Sequence, residues 1–338
     1  MPQRTAVIRS VGRFLPERRL TNQDLEKMVD TTEEWILTRT GIRERRILEP
    51  GLGCSYMAAR AAADCLERAG TPASEVDAII VGTVTPDMFF PSTACLVQRE
   101  IGASRAWGFD LSAGCSSFLF SLTAGVQMIE SGRYDKVLVI GADVMSSIID
   151  YQDRNTCVLF GDAAGAVLLE PCEEEGYGVL DFIQRIDGIG EPYLHMKAGG
   201  SRKPASLETV RNREHYVYQE GKRVFKFAVT EMADVAVAVL DRNGIKGEDL
   251  ALFIPHQANL RIIEACANRM NIPMDRVVVN IDRYANTTGA TIPLCLYEAV
   301  VEQDRLKRGD YLVIATFGAG FTWGSALVRW HRTGPPRP

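Results

Sequence analysis

A cysteine at a break between two apolar segments is the residue in this sequence best placed to act as a nucleophile. The stretch Phe109–Leu122 reads FDLSAGCSSFLFSL, an apolar segment that breaks at Gly114 and restarts with the amphipathic pattern of a helix. Cys115 would therefore face the unpaired N–H groups of a helix start, which favour the reactive thiolate over the thiol. The alternative is a buried core cysteine, the commoner fate of a free thiol.

A histidine and an asparagine in the second half of the chain also stand at segment ends. His256 follows the apolar run LALFI, and side chains at the carboxyl end of a strand commonly face a binding site. Asn286 lies in the turn YANTTG before a predicted helix. A structural histidine and simple turn chemistry are the alternatives. The glycine-rich segment Phe317–Gly324 could supply backbone N–H groups to an oxyanion, or form only a tight turn.

Composition limits the classes of protein that this chain can belong to. Its 338 residues are 46% hydrophobic and 24% charged, enough for a core in one large domain or two halves. The net charge of −5 gives no sign of nucleic-acid binding, and apolar runs such as VLVIGA are too short to span a membrane. The eight cysteines form no CxxC pair. Without a signal peptide pattern, they predict reduced thiols in a cytoplasmic protein.

Alternating strand and helix patterns predict two related α/β halves, residues 1–174 and 175–338. The segments VDAIIVG, FDLSAGCSS and DKVLVIGAD of the first half are echoed by LALFIPH, VNIDRYANTTGA and GDYLVIATFGAG in the second. This repeat predicts parallel sheets covered by helices, with Cys115 and Asn286 at equivalent strand-to-helix turns. VVVNI is predicted as a strand, CVLFGDAAGAVLLE as two strands around a turn, and residues 186–218 as long loops.

Seven motifs resemble, in their order, the β-ketoacyl-acyl-carrier-protein synthase III family, the initiating condensing enzymes of type II fatty acid synthesis. They cover nearly the whole chain and read DTTEEWILTRTGIRERRI, DLSAGCSS, LFGDAAGA, FKFAVTEM, IPHQANLRII, YANTTGATIP and FGAGFTWGSALVRW. The resemblance implies a thiolase-like α/β fold of five layers, α-β-α-β-α, built from two related halves. It also implies a homodimer.

The resemblance implies that Cys115, His256 and Asn286 form a catalytic triad. Cys115 would take the acyl group of a short acyl-CoA, acetyl-CoA first among them, while backbone N–H groups of Cys115 and Ala319 stabilise the oxyanion. Malonyl-acyl carrier protein would then lose CO2, and His256 and Asn286 would donate hydrogen bonds to the enolate oxygen. The products would be β-ketoacyl-acyl carrier protein, CoA and CO2. Neither a metal nor a cofactor besides the acyl-CoA substrate is implied.

The resemblance also assigns residues to substrate binding. Trp35, Arg39 and Arg154 would flank the CoA adenine, and Asn259 would contact the pantetheine. Phe90 would cross from the partner subunit to cap the acyl pocket, where its bulk favours short primers. An acidic carrier protein needs a local basic patch, although solvated helix faces are the alternative. The candidates for this patch are Lys222, Arg223, Lys226, Arg261 and Arg269.

The chain departs from the family pattern at three places. The family usually has glycine at Ala319, where the extra methyl would tighten the pocket, and a lysine where this chain has Asn268, which would weaken docking. The family more often has Ser-Ala after the Asn-Thr pair of YANTTGA, and this third departure leaves a synthase III-like acyltransferase of secondary metabolism as an alternative. A Cys-His-Asn thioester hydrolase is another, although hydrolysis gains little from residues at the CoA adenine. The complete triad speaks against a non-catalytic partner subunit.

Overall fold

Strands and helices alternate along most of the computed structural model, which describes residues 4–331. Residues 1–3 and 332–338, at the outer ends of the two predicted halves, lie outside that range. The strands are β1 Thr5–Phe14, β2 Arg19–Thr21, β3 Glu44–Arg46, β4 Ala78–Gly82, β5 Trp107–Leu111, β6 Val137–Asp143, β7 Ala163–Cys172, β8 Gly178–Ile186, β9 Leu194–Met196, β10 Val217–Gln219, β11 Leu250–Pro255, β12 Tyr311–Gly318 and β13 Thr322–Arg329. The helices are α1 Asn22–Glu26, α2 Glu33–Thr40, α3 Cys54–Ala69, α4 Thr93–Ile101, α5 Ser117–Glu130, α6 Leu207–Arg211, α7 Gly221–Arg242, α8 Leu260–Arg269, α9 Ile281–Tyr284 and α10 Thr291–Tyr297.

Two large sheets form the framework, with strand orders β1-β7-β6-β4-β5 and β11-β12-β13-β8. Strand β4 pairs in parallel with β5 and β6, and β11 pairs in parallel with β12. The remaining pairs of these two sheets are antiparallel. The prediction of parallel sheets is therefore confirmed for only part of each sheet, and both sheets are mixed. The short link between β12 and β13 explains part of this, because only antiparallel neighbours can be joined by a tight hairpin.

The two sheets repeat one plan, as the internal echo of the sequence predicts. Strands β4, β6 and β7 of the first sheet correspond in order and direction to β11, β12 and β13 of the second. The place of β5 is taken by a single parallel bridge between Phe253 and Val277, so the prediction of a VVVNI strand is wrong. The strands of the first sheet end at Cys172 and those of the second begin at Gly178. The boundary at 174/175 lies between them and stays a prediction.

Helices and sheets stack in five layers. Helices α3 and α4 cover the outer face of the first sheet, α7 and α8 cover the outer face of the second, and α5 and α10 lie between them. Helix α5 contacts strands of both sheets, and its side chains Phe118, Leu119, Leu122 and Val126 are fully buried. A helix that is apolar on all sides belongs in such a central layer. The predicted α-β-α-β-α arrangement is confirmed.

Two further segments differ from their prediction. In CVLFGDAAGAVLLE only the second part is a strand, β7, because the first part lies in turns. The Cys157 N–H donates to the Asp153 carbonyl, and the Leu159 N–H donates to the Thr156 carbonyl, both at 3.0 Å. Cys157 and Val158 are nevertheless buried, which explains their strand-like apolar pattern. Residues 186–218 contain α6 and a small antiparallel ladder of β9 and β10 besides loops. Among residues 4–331, no helix has both the length and the apolar character needed to cross a membrane.

Candidate active site

Cys115 lies in a single 3-10 turn, Gly114–Ser116, that joins β5 to α5, and its side chain is buried. Gly114 has a φ of +56°, which favours glycine, and a Cβ there would lie 2.7 Å from the backbone nitrogen of Ala319. A Cβ on Gly318 would lie 2.5 Å from the nitrogen of Cys115. These glycines let the two backbone segments touch. The amides of Cys115 and Ala319 therefore lie close together, as a shared oxyanion site requires.

Hydroxyl groups tie the Cys115 turn to the β12–β13 hairpin of the other sheet. Ser116 donates to the Thr322 carbonyl at 3.1 Å and accepts from the Thr316 hydroxyl at 3.1 Å. Thr322 donates to the Ala113 carbonyl at 2.8 Å. Because all these groups are buried, the hydrogen bonds are protected from water and hold the nucleophile in register with the second half of the chain.

The electrostatics of Cys115 differ from the sequence prediction. Burial raises the pKa of its thiol to about 12, and the nearby charge of Asp143 acts in the same direction. A hydrogen bond with the Asn286 side chain lowers the pKa but does not reverse the shift. Burial therefore outweighs the helix-start effect that favours the thiolate, since desolvation disfavours the charged form. The thiol proton of Cys115 must therefore leave during the reaction with the substrate.

His256 follows β11 and is 1% exposed. Its backbone N–H donates to the Ala315 carbonyl at 2.8 Å, and its Nδ1 lies 2.8 Å from Oγ1 of Thr291. Nε2 is buried and has no hydrogen-bond partner within residues 4–331. Burial lowers the pKa of His256 to about 3, so the imidazole is neutral at physiological pH. A neutral ring with one unsatisfied nitrogen is suited to binding a polar substrate atom.

The low pKa of His256 predicts a loss of stability in acid. The unfolded chain binds a proton near the ordinary value of 6.5, whereas the folded ring does so only near pH 3. The stability that neutral His256 contributes is therefore present above pH 6.5 and is lost as the pH falls towards 3. In urea unfolding of wild type and His256→Asn, we expect the difference in free energy of unfolding to shrink by up to about 1.4 kcal/mol per pH unit between about pH 6 and 4. A difference independent of pH would contradict a buried neutral ring.

Asn286 is held in one orientation by its own loop. The backbone N–H of Thr288 donates to Asn286 Oδ1 at 2.8 Å, so Nδ2 is the end left to face Cys115 and a substrate. Ala285 and Thr288 have φ values of 60° and 49°, which are unusual for residues other than glycine. Such conformations persist only where surrounding contacts fix them, and they concentrate at functional sites.

Gln257 fixes the segment that leads to Asn286. Its Nε2 donates to the carbonyls of Pro255 and Val278 at 2.9 and 3.0 Å. Its Oε1 accepts the backbone N–H groups of Asn280 and Ile281 at 3.0 and 3.2 Å. This fully buried carboxamide therefore binds the loop to the end of β11, beside His256.

Asp143 is a site residue that the sequence analysis missed. It ends β6, is fully buried, and burial raises its pKa despite the hydrogen bonds that it accepts. Thr288 and Gly289 of the Asn286 loop both donate to its Oδ2. Its Oδ1 accepts from the Thr83 hydroxyl, the Val84 N–H, and the Thr85 N–H and hydroxyl. An acidic residue at the end of the buried run VLVIGAD was the available signal.

One cavity of about 690 Å³ connects these groups to the surface. Cys115, His256, Asn286 and Ala319 line it, and so does Trp35. Within the described part of the chain, no three His, Cys, Asp or Glu residues are arranged to hold a metal ion. The structure thus brings the predicted triad and part of the predicted CoA site into one space.

The predicted adenine residues lie together around Trp35. The guanidinium carbons of Arg39 and Arg154 are 5.3 and 4.9 Å from the centroid of its ring. Asn259 lines the cavity, but its side chain accepts the N–H of Arg261 and donates to the carbonyl of Arg39, both at 2.9 Å. It therefore caps α8 in the free protein, and its contact with pantetheine stays a prediction.

The predicted docking residues divide into two groups. Lys222 and Arg261 line the cavity, and the guanidinium carbon of Arg261 lies 5.3 Å from the centroid of the Phe225 ring. Arg223 and Lys226 are exposed and lie with Lys222 in the first turns of α7. Arg269 lies about 12 Å from Arg261 along α8, at 1.5 Å per residue, and pairs with Asp234 at 3.1 Å.

Phe90, the residue predicted to cap the acyl pocket, is 85% exposed and is not among the residues that line the cavity.

Sequence comparisons identify related proteins over almost the whole chain. Residues 109–188 match the family described as 3-oxoacyl-[acyl-carrier-protein (ACP)] synthase III, and residues 240–330 match its C-terminal part. The chain is 55% identical to the beta-ketoacyl-[acyl-carrier-protein] synthase III of Koribacter versatilis, over 97% of this chain and 98% of that protein.

Solved structures with the same fold are similarly related. The 3-oxoacyl-[acyl-carrier-protein] synthase III from Aquifex aeolicus VF5 is 43% identical with a TM-score of 0.88, covering 96% of this chain and 100% of that one. The priming beta-ketosynthase from the R1128 polyketide biosynthetic pathway is 34% identical with a TM-score of 0.90, covering 99% of both chains.

Proposed function

This chain belongs to the β-ketoacyl-[acyl-carrier-protein] synthase III family and is an initiating condensing enzyme of fatty acid biosynthesis, and we propose that Cys115, His256 and Asn286 carry its chemistry. The observation that supports these roles is the single cavity that holds a buried thiol, a neutral imidazole and an oriented carboxamide. The reaction joins a short acyl-CoA to malonyl-acyl carrier protein and releases CoA and CO2. In this proposal it proceeds in the cytoplasm, without a metal or further cofactor.

In the first step, Cys115 attacks the thioester carbonyl of the acyl-CoA. The backbone N–H groups of Cys115 and Ala319 donate to the oxygen that becomes negative, which offsets the cost of a charge in a buried site. The thiol proton leaves with the CoA sulfur, and the acyl group stays on Sγ. The methyl group of Ala319 does not remove the backbone donor, since the amide N–H is retained.

In the second step, the malonyl thioester loses CO2 and the electron pair passes to its enolate. His256 Nε2 and Asn286 Nδ2 donate to the enolate oxygen, where charge develops. The enolate carbon then attacks the acyl-Cys115 carbonyl, a C–C bond forms and the C–S bond breaks. Cys115 leaves as a thiolate and takes up one proton from solvent to return to the thiol. The neutral state of His256 and the fixed orientation of Asn286 support these donor roles, because neither group needs to reorganise.

The entrance of the cavity suits coenzyme A. Trp35 offers an aromatic face to the adenine, and Arg39 and Arg154 offer planar cations. Both guanidinium groups lie against Trp35 in the free protein, so we expect Arg154 to move aside when the adenine stacks there. Asn259 would then contact the pantetheine on its way to Cys115.

The basic residues at the cavity mouth are the proposed docking surface for the acidic carrier protein. Changing Lys226 to glutamate should raise the KM for malonyl-acyl carrier protein severalfold, because a rim charge that attracted the partner would repel it. Acyl transfer from acetyl-CoA should not change. Lys246→Glu is the matched control, since Lys246 is exposed but lies beyond the far end of α7. Equal losses in both activities, or an equal effect of the control, would reject the docking role of Lys226.

A homodimer is proposed on the basis of exposed apolar groups and a free sheet edge. Strand β5 is one of the two edge strands of the first sheet, and its Trp107 is 49% exposed. Phe89 and Phe90 are 84% and 85% exposed. Exposed aromatic groups of this size typically mark a surface that another chain covers. In this dimer, Phe90 would cap the partner's acyl pocket and favour short primers.

Product analysis of one reaction mixture tests the proposed function. The wild-type protein is incubated with acetyl-CoA and malonyl-acyl carrier protein, and the carrier protein is examined by mass spectrometry. A β-ketoacyl group on the carrier protein supports the condensing reaction, whereas free acetate would support a thioester hydrolase. Acceptance of longer or branched acyl-CoAs in place of acetyl-CoA would change the primer but keep the reaction. No product with any acyl-CoA would overturn the assigned activity.

A further inference from the structure

Thr291 contacts the imidazole of His256 from the side opposite to the free nitrogen. Its Oγ1 lies 2.8 Å from Nδ1, and both residues are 1% exposed. The backbone N–H of Ala258, two residues after His256, is not available to Nδ1, because it donates to the His256 carbonyl at 3.1 Å. The Thr291 hydroxyl is therefore the group that faces Nδ1, and water does not compete for this contact.

The hydroxyl hydrogen of Thr291 has two acceptors within reach. One is Nδ1, and the other is the carbonyl oxygen of Thr288, at 3.1 Å from Oγ1. That carbonyl already accepts the backbone N–H of Thr291, so it does not depend on the hydroxyl. Nδ1 is the closer acceptor. When it accepts this hydrogen, a neutral imidazole carries its own hydrogen on Nε2.

We propose that Thr291 is a positioning residue that fixes the tautomer of His256 with the hydrogen on Nε2. The inference rests on the proposed function of the site. In the decarboxylation step the bond to CO2 breaks, the electron pair stays on the remaining carbon, and the charge spreads to the thioester oxygen. That oxygen accepts hydrogen bonds from Nε2–H and Asn286 Nδ2, while no proton leaves the ring. The opposite tautomer would aim a lone pair at the same oxygen and repel it.

A pair of substitutions separates the hydroxyl from the shape of the side chain. Thr291→Val keeps the branched shape but removes the hydroxyl, and Thr291→Ser keeps the hydroxyl. With valine, we expect decarboxylation of malonyl-acyl carrier protein to fall at least about tenfold, because complete loss of one oxyanion donor costs about 10²- to 10³-fold and valine leaves part of the protein in the correct tautomer. Acetylation of Cys115 by acetyl-CoA should stay within about twofold of wild type. The serine variant should retain both activities. Equal loss of both half-reactions, or no loss with valine, would overturn the inference.

The tautomer itself can be measured in the wild-type protein. The chain has four histidines, so ¹⁵N NMR with histidine-selective labelling gives few signals, and the His256→Asn variant identifies the one of interest. We expect Nε2 protonated and Nδ1 unprotonated near pH 7 in wild type and Thr291→Ser. Hydrogen on Nδ1 in wild type would overturn the inference even if the valine variant did not fold. The proposed function is tested by a different result, since it would be overturned if wild type formed no β-ketoacyl product.

Discussion

Replacing Cys115 with serine is expected to abolish the acetyl adduct and to lower condensation by at least about a thousandfold. The serine hydroxyl is a much weaker acid than the thiol. Burial has already raised the pKa of Cys115 to about 12, and the same environment would oppose an alkoxide more strongly. His256 cannot compensate, because a ring with a pKa of about 3 is a weak base. The nucleophile must therefore be a sulfur, which reacts well even when only a small fraction is ionised.

Intact mass spectrometry after incubation with acetyl-CoA measures this effect directly. Wild type should gain one acetyl group, and malonyl-acyl carrier protein should then discharge it. Cys95→Ser is the matched control, since Cys95 is an exposed cysteine and its loss should leave the adduct unchanged. If Cys115→Ser formed as much acetyl adduct as wild type, Cys115 would not be the nucleophile. If only the Cys95 variant lost the adduct, the acetylated residue would be the exposed Cys95.

The positions of Cys115 and His256 could be inferred from sequence because each follows an apolar run that becomes a strand, the half-buried β5 for Cys115 and the buried β11 for His256. The two strands lie in different sheets. The hydrogen bonds between the Cys115 turn and the β12–β13 hairpin hold their carboxyl ends at one site. The five layers are implied by the family resemblance, whereas the internal repeat predicts two related halves. The amphipathic helix predicted after Gly114 is α5, which is buried along most of its length because it lies between the two sheets.

Other features depend on contacts that no local pattern encodes. VVVNI has the β-branched composition of a strand. However, the Gln257 side chain donates a hydrogen bond to the carbonyl of Val278 and accepts hydrogen bonds from the N–H groups of Asn280 and Ile281. Those are backbone groups that a strand would use in its ladder. The pKa of Cys115 likewise follows from burial and from Asp143, a residue of another strand. Helix-start electrostatics alone could not predict it, because desolvation acts in the opposite direction and is larger here.

Asn286 is proposed to act in the decarboxylation step that follows acylation of Cys115. Substitutions of Asn286 should therefore affect acylation and decarboxylation to different extents. Asn286→Asp keeps an oxygen that accepts the Thr288 N–H, so the loop retains its hydrogen bond, but it replaces the donor Nδ2 with an acceptor. Asn286→Ala removes donor and acceptor together. We expect both variants to lower malonyl decarboxylation about 10²- to 10³-fold, the usual effect of losing one oxyanion donor.

The first half-reaction should respond differently to these two variants. With alanine, acetylation of Cys115 should fall no more than a fewfold, because the hydrogen bond that lowers the thiol pKa is lost but the backbone donors of Cys115 and Ala319 are unchanged. With aspartate, a new negative charge beside the thiol would raise its pKa further and slow acetylation as well, since like charges disfavour thiolate formation. Single-turnover release of CoA and formation of acetyl-carrier protein from malonyl-carrier protein measure the two steps separately. If alanine slowed both steps equally, Asn286 would be a structural support of the Cys115 turn and not a donor to the enolate.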